Sequence, residues 1–92
     1  MIFLARMDVT FPAHLTAAQI ADFQVEEKEY SGSLQRSGKM AGIWRIVGEY
    51  ANHSIFDVES NDELHQILSG FPMYPYMKIK VTPLAKHPNS IS

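Results

Sequence analysis

The spacing of apolar residues switches back and forth between two and about 3.6 along this chain, and that succession limits its fold more than any single residue does. From Ile2 to Phe11 the residues alternate: Phe3, Ala5, Met7, Val9 and Phe11 share one face, with Arg6, Asp8 and Thr10 on the other. That is the repeat of a strand. Ile2 and Leu4 make the start of the second face apolar too, as in a sheet whose back meets another subunit. Pro12 stops the strand. Thr16 followed by Gln19 reads as a capping box opening a helix to about Ser37, with Gly38 in the left-handed position after it. Ile43 to Tyr50 reads as a second strand, with Trp44, Ile46, Gly48 and Tyr50 on one face. Ala51-Asn52 reads as the tight turn into a third strand, at about His53 to Val58. Ser60 with Glu63 forms another capping box, starting a short helix that carries Leu64, Ile67 and Leu68 and ends at Gly70 and Pro72. In a last strand Met77, Ile79 and Val81 alternate with Lys78, Lys80 and Thr82. Pro83 to Ser92 reads as a tail with no period of its own, either packed on a neighbour through Leu84 and Ile91 or frayed.

The order strand, helix, strand, strand, helix, strand predicts an α+β, ferredoxin-like βαββαβ fold: a four-stranded antiparallel sheet with two helices on one face. With 92 residues and no linker or repeat, residues 1–92 read as a single domain. A core this small leans on partners for stability, and the open sheet face offers one in self-association. Cysteine is absent, which removes disulfides, thiolate metal sites and cysteine nucleophiles together. The net charge of −2 gives no basic field for nucleic acid. The apolar run from Met1 to Ala5 is too short for a membrane span or signal peptide, so the expectation is a cytoplasmic protein without membrane or nucleic-acid partners.

One residue breaks the apolar pattern. Ile20, Phe23, Tyr30 and Leu34 fall within about 80° of one another around the first helix, and Glu27 lies inside that arc. A carboxylate turned towards a sheet costs several kcal/mol unless it is paired or hydrogen-bonded. One reading puts Glu27 at the sheet's end, bonded to arginine, tyrosine or water. The other makes it a partly desolvated base with a raised pKa, suited to exchanging protons with carbon. His14, His53, His65 and His87 lack metal-ligand spacing, and neither a phosphate-binding glycine loop nor a nucleophile-elbow serine is present. Acid–base chemistry without cofactor or metal is the enzymatic expectation.

Several fragments then fall in a familiar order: Glu26-Glu27-Lys28-Glu29, Leu34-Gln35-Arg36 with Gly38, Trp44-Arg45-Ile46, Tyr50-Ala51-Asn52 with Ser54, and Phe56-Asp57-Val58. Leu64-His65, Pro72, Pro75-Tyr76-Met77, His87-Pro88 and Ser90-Ile91 continue it. Over nearly its whole length, and without insertion, the chain resembles the muconolactone isomerase family. The resemblance implies a ferredoxin-like subunit, a homodecamer, and an active site shared between neighbouring subunits. It also implies a place in the 3-oxoadipate route of catechol degradation. The family substrate is an unsaturated five-membered lactone with a carboxymethyl arm. Its C4 proton is removed and a proton returns at C2. The family's base matches Glu27.

Removing that proton puts charge on the lactone carbonyl oxygen, which calls for fixed donors. Tyr50 and Asn52 are the favoured ones, against ordinary roles as a strand-end tyrosine and a turn asparagine. Arg36, Arg45 or His53 are the candidates for the substrate carboxylate. The chain departs from the family at Met40, where tryptophan is expected, and at His53, where tyrosine is usual. It departs again at Phe71 and Tyr74, where leucine and phenylalanine are typical. Read as pocket changes, these favour the family's chloromuconolactone dehalogenase branch, which eliminates HCl to give a dienelactone. The muconolactone isomerase is the alternative, and a small-molecule-binding oligomeric module is the non-enzymatic one.

Overall fold

The computed structural model describes residues 1–91. Strand β1 (Ile2–Val9) is followed by helix α1 (Ala17–Arg36), strands β2 (Met40–Arg45) and β3 (Ala51–Asp57), helix α2 (Asn61–Ser69), a short 3-10 turn (Tyr74–Tyr76) and strand β4 (Met77–Leu84). The strands form one antiparallel sheet in the order β2-β3-β1-β4, the expected ferredoxin-like arrangement. Alternation along β1 turns Phe3, Ala5 and Met7 inward, where they are almost completely buried. Ser54 and Phe56 lie opposite Ala5 and Phe3 on the same face. Leu34 of α1 and Leu64 and Leu68 of α2 close the core over them, with Met40, Val58 and Phe71.

Both helices start where their caps place them. The Thr16 hydroxyl accepts from the Gln19 N–H at 3.1 Å while the Gln19 side chain accepts from the Thr16 N–H at 2.8 Å, a reciprocal box. Ser60 caps α2 in the same way, but Glu63 does not reach back to Ser60. Its carboxylate accepts instead from the Glu59 N–H at 2.9 Å and pairs with Lys39 at 3.2 Å. Gly38 takes the expected left-handed conformation after α1, at φ +80°.

The second strand sits three to five residues earlier than its apolar pattern indicates. It ends at Arg45, and the chain reverses over Ile46 to Glu49, closed by the Glu49 N–H to the Ile46 carbonyl at 3.1 Å. Gly48, at φ +83°, supplies the left-handed residue that this reversal needs, so Ala51 and Asn52 belong to β3 and not to a turn. A register shift between Met40 and Gly42 then lets Met40 face the core while Ile43 and Arg45 also face the helices. The last strand continues through Pro83 to Leu84. β4 lies at the edge of the sheet, where a residue without an N–H leaves no internal ladder bond unmade.

The sheet's other face carries no helix. By alternation and register, Ile2, Leu4, Ile55, Trp44 and Leu84 share it. Trp44 is 60 % exposed there, its ring lying back over Gly42, where any side chain would meet it. No helix among the described residues is long and apolar enough to cross a membrane.

Candidate active site

Along α1 the less exposed positions are Ile20, Phe23, Glu27, Tyr30, Ser31 and Gly32, with Leu34 buried, so Glu27 does lie on the face turned towards the sheet. The backbone N–H of Met73, just before the 3-10 turn, donates to Glu27 Oε1 at 3.0 Å. Burial pushes the carboxyl pKa up, more than this one N–H draws it down. Three residues on, Tyr30 donates its hydroxyl to the Ile67 carbonyl at 2.7 Å and stacks edge-on to Phe71, tying α1 to α2. One oxygen of Glu27 is thus held by the backbone, and the group as a whole borders open space.

That space is a cleft of about 350 Å³ at the end of the sheet furthest from the Phe3–Phe56 pair. Its floor is made by facing pairs, Val9 with Met77 and Asn52 with Arg45, and Ile43 completes it. Asn52 is oriented by its neighbour. Buried Ser54 donates its hydroxyl to Asn52 Oδ1 at 2.7 Å, which leaves the asparagine NH₂ as the group free to donate. Tyr50 packs its ring against Phe11, with centroids 6.0 Å apart, and accepts a hydrogen bond from Gln24 Nε2 at 3.1 Å. Glu49 also borders the cleft, but its carboxylate is held by Arg6 at 3.0 Å, and Arg6 is held in turn by Asp8 at 2.9 Å. Arg45 forms no ion pair among the described residues. The cleft therefore combines a half-buried carboxylate, two side chains able to donate and a cation without a carboxylate partner.

Of the residues singled out in the sequence, the fold brings Glu27, Tyr50, Asn52 and Arg45 to this cleft. It takes the others elsewhere. Met40 and Phe71 are core residues, Phe71 stacking on Tyr30 and Phe56, because the register shift and the end of α2 turn both inward. His53 faces away from the helices, opposite Arg6 and Trp44, since it alternates with Asn52 and Ser54; its Nδ1 is buried without a hydrogen-bond partner. Arg36 is exposed in the last turn of α1, well beyond Glu27, and Tyr74 lies on the 3-10 turn outside the cleft. Met73, Gln24, Ile43 and Ser54 were not singled out as site residues. Met73 acts through its backbone and leaves no side-chain signal, whereas Gln24 sits three residues before Glu27 and helical spacing alone places it nearby. Among the described residues no three histidine, aspartate or glutamate side chains come together as a metal site.

Comparison with known proteins agrees with this architecture. The family model for muconolactone delta-isomerase matches residues 1–90. The muconolactone Delta-isomerase of Cupriavidus pinatubonensis (strain JMP 134) is 59% identical over 91 residues, covering 99% of each chain. Muconolactone Delta-isomerase 1 of Acinetobacter lwoffii is 57% identical, covering 99% of this chain and 95% of that one. A crystal structure of muconolactone isomerase superimposes with a TM-score of 0.95 at 42% identity, covering 100% of this chain and 96% of that one. These findings overturn the dehalogenase expectation: relatives from 41% to 59% identical carry the isomerase's name. In this chain none of Met40, His53, Phe71 and Tyr74 borders the cleft beside Glu27.

Proposed function

The chain belongs to the muconolactone Delta-isomerase family of enzymes, and from that premise we propose that it converts muconolactone to 3-oxoadipate enol-lactone in aromatic catabolism. The observation that carries this reading is Glu27, a half-buried carboxylate with one oxygen on the Met73 N–H and an open cleft beside it. In the proposed reaction Glu27 takes the C4 proton, which the ring double bond and lactone carbonyl acidify. The electron pair delocalises onto the carbonyl oxygen as a dienolate, and Tyr50 and Asn52 donate to it. The protonated Glu27 then returns its proton at C2 on the same face of the ring, so one residue serves both steps. Arg45 takes the carboxylate arm, free to do so because Arg6 occupies Glu49. A binding module has no use for a desolvated base, which disfavours the non-enzymatic reading.

The test is purified protein with muconolactone, followed by absorbance and by identification of the product. Double-bond migration supports the proposal and an inert protein refutes it. Burial of Glu27 fixes the shape of the pH profile. The base must be ionised, so the acidic limb of kcat/KM is expected above the ordinary glutamate value of about 4.3. A limb at or below that value argues against Glu27 as the titrating base. Arg45→Met is expected to raise KM roughly tenfold with a smaller change in kcat, the pattern of lost binding to a charged arm.

We also propose a cytoplasmic homo-oligomer, a decamer by the resemblance, with the open sheet face and its exposed Trp44 covered by neighbouring subunits. Sedimentation at micromolar concentration should then give a multiple of 10.4 kDa, and a stable monomer contradicts it.

A further inference from the structure

We infer that Gln24 is a positioning residue that fixes which way the Tyr50 hydroxyl points, an inference that rests on the isomerase reading above. A phenol oxygen has one hydrogen to give and lone pairs to receive with. Gln24 Nε2 donates to that oxygen at 3.1 Å, so its contact consumes a lone pair and leaves the single hydrogen uncommitted. Although Tyr50 is 49 % exposed, one side of its ring is braced: it packs on Phe11, itself 5.7 Å from Tyr76, which packs on Phe23 of α1 at 5.5 Å. The Tyr50 backbone is also pinned, its carbonyl accepting from the Val9 N–H at 3.1 Å. Because Gln24 and Glu27 are three residues apart on α1, the base and the group that orients the donor form one rigid unit. Donor and base then keep their separation through the proton transfer. A carboxamide is suited to this because it offers the phenol a donor without a charge. An acceptor in its place captures the hydroxyl hydrogen and turns it away from the substrate.

Four variants test this by steady-state kinetics on muconolactone at pH 7 to 8, with Cζ-labelled tyrosine followed by NMR. Gln24→Leu should lower kcat roughly tenfold with KM little changed. Gln24→Lys, which can only donate, should restore most of that loss. Gln24→Glu keeps the shape but presents an acceptor, and should fall below Gln24→Leu. In a Tyr50→Phe background the Gln24 substitutions should have no further effect on kcat. The Tyr50 Cζ resonance, assigned by its disappearance in Tyr50→Phe, should move in Gln24→Leu. Gln24→Glu as active as the unsubstituted protein overturns the inference, as do Gln24 effects that persist without the Tyr50 hydroxyl. An unsubstituted protein inert on muconolactone overturns the isomerase reading instead; the Cζ resonance then decides on Gln24 alone, and an unmoved resonance refutes the contact.

Discussion

Glu27→Gln is expected to lower kcat on muconolactone by about 10²–10⁴-fold, the scale for loss of a general base, while leaving the fold intact. The amide is nearly the same shape, and its oxygen can still accept from the Met73 N–H, so packing is preserved. Only the ability to take a proton from carbon is removed. The same substitution should raise the melting temperature at pH 7. Burial holds the folded-state pKa of Glu27 above its unfolded value. A carboxyl shifted this way favours the folded state fully below its unfolded pKa and loses that contribution as pH rises through the folded pKa. At neutrality the ionised side chain therefore opposes folding, and glutamine relieves it. At a pH below about 4, under the unfolded value, both proteins carry a neutral group and the difference should vanish. Kinetics within tenfold of the unsubstituted enzyme, in a variant that remains folded, would remove Glu27 from the mechanism. A melting temperature that falls equally at both pH values would show that its carboxylate is structural.

Tyr50→Phe is expected to lower kcat by about 10²–10³-fold, the cost of deleting one preorganised donor to a developing oxyanion. The ring's contact with Phe11 survives, so stability should change little. The loss should fall on kcat more than on KM, because the dienolate oxygen carries far more charge than the ground-state carbonyl. In the proposed mechanism Asn52 is a second donor to the same atom, so the residual rate is expected to stay above that of Glu27→Gln. A change confined to KM would instead assign Tyr50 to ground-state binding.

Much of the fold is readable along the chain because its signals are local. The capping residues Thr16 and Ser60, Gly38 after α1 and the alternation in β1 each act within a few residues of themselves. The displaced second strand shows where such reading stops. Apolar alternation continues from Ile43 to Tyr50, but it is the positive φ of Gly48 that decides where the backbone turns. Two strands that could pair in more than one register are fixed by the turn between them. Pro83 marks the same limit at the other end: a proline ends a strand inside a sheet but not at its edge, and edge position is a property of the assembled sheet.

The candidate site divides along the same line. Glu27 stands out from the sequence because a charged residue inside an apolar helical arc conflicts with the cost of desolvation, a conflict visible from spacing alone. The family kinship is equally a property of the sequence. Most of what surrounds Glu27 was settled only by tertiary structure: Met73 reaches it through a backbone N–H, Arg45 joins it through the register of β2, and Gln24 of α1 reaches the Tyr50 hydroxyl across elements, whereas the Ser54 contact to Asn52 lies within β3. The sequence places Met40, His53, Phe71 and Tyr74 among the pocket candidates, whereas in the fold Met40 and Phe71 lie in the core, His53 on the opposite sheet face and Tyr74 outside the cleft. The physical reason is that alternation, capping and helical phase are set by neighbours in the chain, whereas which side chains converge on one space depends on register and packing between segments far apart in it.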